Sequence, residues 1–167
     1  MIVMGIDPGY AIVGYGVLEY YRGKFRTLGY GAITTPADMP FDSRLEVIYD
    51  ELTYLLHKYK PESMAVEQLF FTSNQKTVIA VGQARGVIVL AGKKAGVPIY
   101  EYTPLQVKQS VVGYGRAVKK QVMEMTRVML GLEKVPKPDD TADALAIAIC
   151  HAHSAGSLLN KEKLLQR

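Results

Sequence analysis

The chain has 167 residues, 49% of them hydrophobic and 22% charged, which is enough to bury a core within one domain. That balance excludes a disordered chain, and no apolar run approaches the ~20 residues needed to cross a bilayer. The net charge of +4 is a mild excess, compatible with a nucleic-acid partner without requiring one.

The first strand is read from Ile2, Val3, Met4 and Ile6, an apolar run with no polar face, as expected of a central strand covered on both sides. It ends at Asp7. Pro8-Gly9 then turns the chain and should leave that carboxylate uncovered, although Asp before Pro-Gly is also ordinary turn chemistry. Val13 to Tyr20 and Lys24 to Thr34 read as a second and third strand joined by Arg22-Gly23, so the first three strands should be antiparallel neighbours. After Pro36 and Pro40, the spacing of Leu45, Ile48, Leu52, Leu55 and Leu56 predicts an amphipathic helix over 41–59. Ser63 to Val66 is then a short buried strand ending at Glu67. A strand, a helix and a returning strand make a parallel crossover, so Asp7 and Glu67 should project from adjacent strand ends. Ligands in such sheets bind beyond those ends. Leu69-Phe70-Phe71 follows, where at least one aromatic is expected to be exposed.

Residues 76–95 favour strand by propensity, but their length and the need for a crossover predict helix. Gly82 and Gly86 lie one turn apart in it, with Ala84 nearby, giving a smooth face for a helix of a second copy of the chain; packing on its own sheet is the alternative. Residues 96–100 read as a fifth strand, and Thr103-Pro104 as a helix start. That helix carries Lys108. A flexible basic and aromatic loop over 111–116 leads to a helix over 117–130. Lys108, Arg116, Lys119, Lys120, Arg127, Lys134 and Lys137 concentrate the positive charge in this part of the chain. After Pro136 and Pro138, Asp139-Asp140-Thr141-Ala142-Asp143 opens a last helix. Its small apolar body must lie close against the sheet. Asp140 and Asp143 share one face of its first turn. His151 and His153 sit about 12 Å or more away and read as helix-end residues, not ligands. The expected organisation is a single domain over 1–157 with a basic tail over 158–167.

Four acids, Asp7, Glu67, Asp140 and Asp143, thus converge with no strand-end lysine or arginine to neutralise them. Unpaired carboxylates brought together repel, and a divalent cation resolves the conflict. All-oxygen ligation selects Mg²⁺, with Mn²⁺ as a substitute. Two such ions about 3.5–4 Å apart activate water and stabilise the leaving oxygen in phosphodiester hydrolysis. The single cysteine, Cys150, and the lack of a basic segment before an apolar leader fit a reducing, cytoplasmic setting.

Gly5-Ile6-Asp7-Pro8-Gly9, Val66-Glu67-Gln68-Leu69-Phe70, Gly82-Gln83-Ala84-Arg85-Gly86, Val107-Lys108-Gln109 with Val111-Val112-Gly113, and Asp140-Thr-Ala-Asp143-Ala-Leu-Ala together resemble the RuvC family of bacterial Holliday-junction resolvases. The resemblance implies an RNase H-like α/β fold, with a five-stranded mixed sheet flanked by helices. It also implies a homodimer that makes paired symmetric nicks in a four-way DNA junction, and a RuvA–RuvB branch-migration complex as partner. By position, Asp7, Glu67, Asp140 and Asp143 correspond to the metal-binding catalytic set, and Asp139 is an extra adjacent acid. Phe70 corresponds to an aromatic used against unstacked junction bases. Lys108 and Lys119 correspond to basic residues near the scissile phosphate and backbone, with Arg116 and Lys120 as further DNA-binding candidates. Gly82 and Gly86 correspond to the dimer helix. The competing readings are another RNase H-like nuclease, a non-catalytic junction scaffold, and a nucleotide-binding fragment of the actin-like type.

Overall fold

The computed structural model describes the backbone of residues 1–68 and 75–165 and the side chains of 1–68 and 77–155. Five strands form one sheet: β1 (Ile2–Asp7), β2 (Ile12–Tyr21), β3 (Lys24–Thr34), β4 (Ser63–Glu67) and β5 (Ile99–Tyr102). Their order across the sheet is β3-β2-β1-β4-β5. The first three strands are antiparallel neighbours, whereas β4 and β5 run parallel to β1. The helices are α1 (Phe41–Tyr59), α2 (Gln75–Lys94), α3 (Pro104–Val112), α4 (Lys119–Met129) and α5 (Asp139–Leu165).

The central strand is β1, and its alternating side chains feed two cores. Met4 and Ile6 join Ile48, Leu52, Leu55, Ile88 and Ala91 under α1 and α2. Val3 joins Leu18, Ala65, Val107 and Val122, together with Leu145 to Cys150 of α5, on the other face. Both faces of the strand are therefore covered, as its unbroken apolar run requires.

Helix α5 lies flush on β1 and β2 because three strand positions have no side chain. A Cβ at Gly5 would come within 2.1 Å of the Ala144 carbonyl oxygen, and one at Gly14 within 2.0 Å of the Asp140 carbonyl oxygen. At Gly16 it would meet Leu145 at 2.6 Å. Small residues on the helix and glycines on the strands fit one another.

Several boundaries differ from expectation. The fifth strand begins at Ile99, not residue 96, and runs on to Tyr102. The chain leaves α2 through Gly96 at φ +74°, and pairing with β4 starts only after Pro98, whose carbonyl accepts from the Met64 amide. Helix α3 extends through Val112, so the expected 111–116 loop shrinks to the turn after it. Helix α4 starts at Lys119 because Ala117 is buried and Val118 is extended as its cap. Helix α2 forms despite its β-branched residues, since burial of Ala84, Ile88 and Ala91 outweighs local propensity. The hairpin turn holds Arg22 at φ +49° and Gly23 at φ +81°, the twist that a two-residue connection demands. Thr103 caps α3 reciprocally: its hydroxyl accepts from the Gln106 amide, and Gln106 accepts from the Thr103 amide. No helix among the described residues is long and apolar enough to cross a membrane.

Candidate active site

Strand register sets the first two acids. Ile6 pairs with Val66 in the parallel ladder, so Asp7 and Glu67 leave the sheet side by side from adjacent strand ends. Across the antiparallel ladder, Asp7 lies opposite Gly14. Gly14 is also where the Asp140 carbonyl seats, so the missing side chain admits the first turn of α5 over Asp7. Asp140 and Asp143 are thereby brought to Asp7 and Glu67 by one backbone contact.

Asp7 is not uncovered, contrary to expectation; it is half-buried beneath that turn. Burial, followed by the charges of Glu67, Asp143 and Asp140, pushes its carboxyl up to about 8, against a smaller opposing pull from Lys119. Glu67 is raised by burial and by Asp143, with Lys119 and Lys108 opposing. Burial raises Asp143 as well, although Lys119 bonds to it. Each acid thus stands close enough to make ionisation of its neighbour harder.

No strand end supplies a cation to the set, as expected from the sequence, but a helix does. The Lys119 ammonium, on the first turn of α4, lies 2.8 Å from Asp143 and 3.8 Å from Asp139. The Asp143 contact raises the Lys119 pKa. Asp139 is drawn aside by Lys137 at 2.6 Å, which lowers its pKa and separates it from the other acids. Among the described residues, no three acid, histidine or cysteine side chains close into a ligand cage. With Lys119 on Asp143, the acids approach one another without enclosing a point.

These residues fit a hard divalent cation. The donors are carboxylate oxygens, their mutual repulsion calls for positive charge, and a lysine ammonium already occupies part of that role. A cleft of about 230 Å³ opens beside them, lined by Glu67, Asp143, Lys108, Lys119, Pro104 and Val107 among others. Arg116 and Lys120 are exposed nearby in sequence, Arg116 in the α3–α4 turn and Lys120 on α4. Phe70 lies outside the described residues. Gly86 is exposed on α2 with nothing within 4 Å of a Cβ built there, and Gly82 is half-buried.

The two histidines are occupied elsewhere. His151 Nδ1 is 2.8 Å from the Tyr102 hydroxyl, and His153 Nδ1 is 3.1 Å from Ser110 Oγ. They lie within α5 and not at its end, since the helix continues to Leu165. Sequence reasoning missed Gly14 as the seat of the acidic turn. Its signal was a glycine pair, Gly14 and Gly16, on one face of a strand facing a helix of small residues.

Known proteins are similar to this chain over nearly its whole length. A family model described as crossover junction endodeoxyribonuclease RuvC matches residues 3–151. The crossover junction endodeoxyribonuclease RuvC of Ruminiclostridium cellulolyticum is 57% identical over 165 residues, covering 98% of this chain and 99% of that protein. The protein of the same description from Clostridioides difficile is 58% identical over 154 residues, covering 92% and 91%. Among solved structures, Thermus thermophilus RuvC in complex with Holliday junction substrate superposes with a TM-score of 0.88 at 41% identity, covering 93% of this chain and 94% of that one. The strand order and flanking helices are those of the RNase H-like fold expected from the sequence. The chain belongs to the RuvC family of crossover junction endodeoxyribonucleases.

Proposed function

We infer that the acid end of this fold cuts DNA: the chain is a crossover junction endodeoxyribonuclease that resolves Holliday junctions by phosphodiester hydrolysis. One observation carries the reading. Two carboxylates at adjacent parallel strand ends face two more on a helix turn, beside a cleft bearing Lys108 and Lys119, in a chain that matches this family end to end.

Asp7, Glu67, Asp140 and Asp143 would hold the divalent metal on which the family depends, Mg²⁺ or its substitute Mn²⁺, as two ions when DNA is bound. Bound there, the metal supplies an activated water and neutralises charge that develops on the phosphate. Lys108 lines the cleft and would meet a phosphate oxygen there, and Lys119 lines it too with its ammonium on Asp143. Arg116 and Lys120 extend the cationic surface for the backbone. Phe70 would stack on an unpaired junction base. Ile79, Gly86 and Leu90 lie along one side of α2, Ile79 and Leu90 large and exposed, which supports a homodimer through that helix with Gly82 and Gly86 at the contact. A two-fold protein sets two such sites on a near two-fold junction, giving paired nicks. A RuvA–RuvB complex as partner, a cytoplasmic setting, and a nuclease domain over 1–157 with a basic tail over 158–167 complete the reading.

The direct test is Asp7→Asn. Cleavage of a four-way junction in Mg²⁺ should fall at least a thousandfold while junction binding stays within a few-fold. Retained cutting sinks the assignment of Asp7. Phe70→Ala should slow cleavage far more than binding, and Gly86→Leu should sediment as a monomer with its helical signal intact.

A further inference from the structure

We propose that Tyr114 is a second aromatic contact for an unpaired DNA base, tied by Gln121 to the same first turn of α4 that carries Lys119; this rests on the junction-cutting reading above. Tyr114 follows α3 directly. Gly113 ends that helix at φ +92°, with its amide on the Gln109 carbonyl, so the chain turns sharply there. Gly115 is pressed onto α3: a Cβ at that position would come within 2.1 Å of Leu105 Cδ1. The turn therefore has little freedom.

The Tyr114 side chain is fixed at its far end. Its hydroxyl donates to Gln121 Oε1 at 2.9 Å, and the same oxygen accepts the Val118 amide at 3.0 Å. Gln121 thus ties the tyrosine to the first turn of α4, whose Lys119 reaches Asp143. Tyr114 is nonetheless 46% exposed, with Val118 and Leu105 exposed beside the same turn. A tyrosine that only braced the loop would bury its ring. Here the polar tip is anchored and much of the residue is left to solvent, which spares most of the entropy cost of ordering it on binding.

The surroundings select the occupant. Arg116, Lys119 and Lys120 lie within six residues of Tyr114, and all are exposed. A flat π surface among cations suits a nucleobase whose flanking phosphates meet those charges. Bases within a duplex have no free face, so the contact requires a base opened at the crossover. The same aromatic and apolar patch could instead dock a protein, and the test separates the two.

The experiment uses the full chain with a four-way junction carrying 2-aminopurine at the crossover, and a linear duplex of the same arms, both in Ca²⁺ to prevent cutting. Tyr114→Leu should bind the junction about tenfold more weakly and the duplex within twofold of the parent, with less 2-aminopurine quenching. The salt dependence of binding should not change, because no phosphate contact is lost. Tyr114→Phe keeps the ring and loses the tether, so it should keep the quenching with a two- to threefold loss in affinity. Matched melting curves show that each variant folds. Junction binding and quenching equal to the parent in Tyr114→Leu overturn the proposal, as does an equal loss on junction and duplex with a shallower salt slope. Undiminished DNA binding with loss of a protein contact assigns the patch to a protein and overturns it too. A parent chain that neither binds nor cuts junctions refutes the functional reading itself, and this contact falls with it.

Discussion

Helix α5 handles polar groups in opposite ways at two places along its length. Two turns into the sheet-covered part, the imidazole of His151 meets the Tyr102 hydroxyl at 2.8 Å, and His153 meets Ser110. Burial alone lowers the His151 pKa to about 4, so the ring stays neutral and its hydrogen bond suits that state. At the first turn, burial gathers acids that raise one another, and Asp7 is pushed up to about 8. The histidine cluster is content within the protein. The acid cluster is not: Lys119 offsets its repulsion only in part, and a divalent cation would offset the rest. Buried groups that satisfy each other support the fold, whereas buried groups that oppose each other mark the candidate site.

The sharpest way to break this contrast is Gly14→Ala. The new methyl would fall 2.0 Å from the Asp140 carbonyl oxygen and 2.3 Å from its carbon, backbone atoms that cannot swing away. The first turn of α5 must lift, carrying Asp140 and Asp143 from Asp7 and Glu67. Cleavage should drop at least a hundredfold, with a stability loss of about 1–3 kcal/mol from overpacking. Near-normal cleavage in a folded Gly14→Ala protein would show that the turn does not set the acids.

The next effect has the opposite sign. Asp7 has a folded pKa above its unfolded value of 3.8, so its contribution to stability is full below about pH 4 and is lost as pH climbs through 8. Without metal, the protein should therefore weaken as pH rises from about 4 to about 8. Asp7→Asn removes that loss and should raise the melting temperature in EDTA, most of all above pH 8. The gain is about 1–3 kcal/mol, below the ~1.4 kcal/mol per pKa unit that an isolated group would give, because Glu67 and Asp143 titrate with it. Titration calorimetry should show Mg²⁺ binding tightening with pH up to about 8, since a proton must leave Asp7 first. A melting temperature unchanged by Asp7→Asn at pH 9 would mean that the acids do not strain the fold.

Much of this contrast was legible in the chain. The segment over 41–59 carries clear helical periodicity, the strands over 24–34 and 63–67 each follow turn residues, and Glu67 follows from the crossover rule. The burial of Asp7 was not legible, because it depends on how closely α5 seats on Gly14, a contact between residues 126 apart in the chain. Lys119 was read as a DNA contact, and its bond to Asp143 was missed for a similar reason. That bond depends on the way α4 packs against α5, which no local pattern encodes. The Tyr114–Gln121 bond spans a turn whose residues name no partner. Local chemistry announces elements and their acids; the distances between those acids come from packing.

The smallest expected effect tests the other half of the contrast. His151 has a folded pKa below its unfolded value of 6.5, so its contribution to stability is present above that pH and is lost as pH falls towards 4. His151→Phe keeps a ring beside Tyr100 and Tyr102 but strands the Tyr102 hydroxyl, at a cost of about 1 kcal/mol at neutral pH. The variant should then lose less stability than the parent between pH 6.5 and 4, because no buried imidazole has to take up a proton there. Junction cleavage at pH 7.5 should stay within twofold, since the ring lies about 12 Å along the helix from Asp143. Urea unfolding at pH 5 and pH 7 measures the first, and a single-turnover cleavage assay the second. A tenfold loss of cleavage with stability intact would place the histidine cluster in the chemistry, and the division along α5 would be wrong.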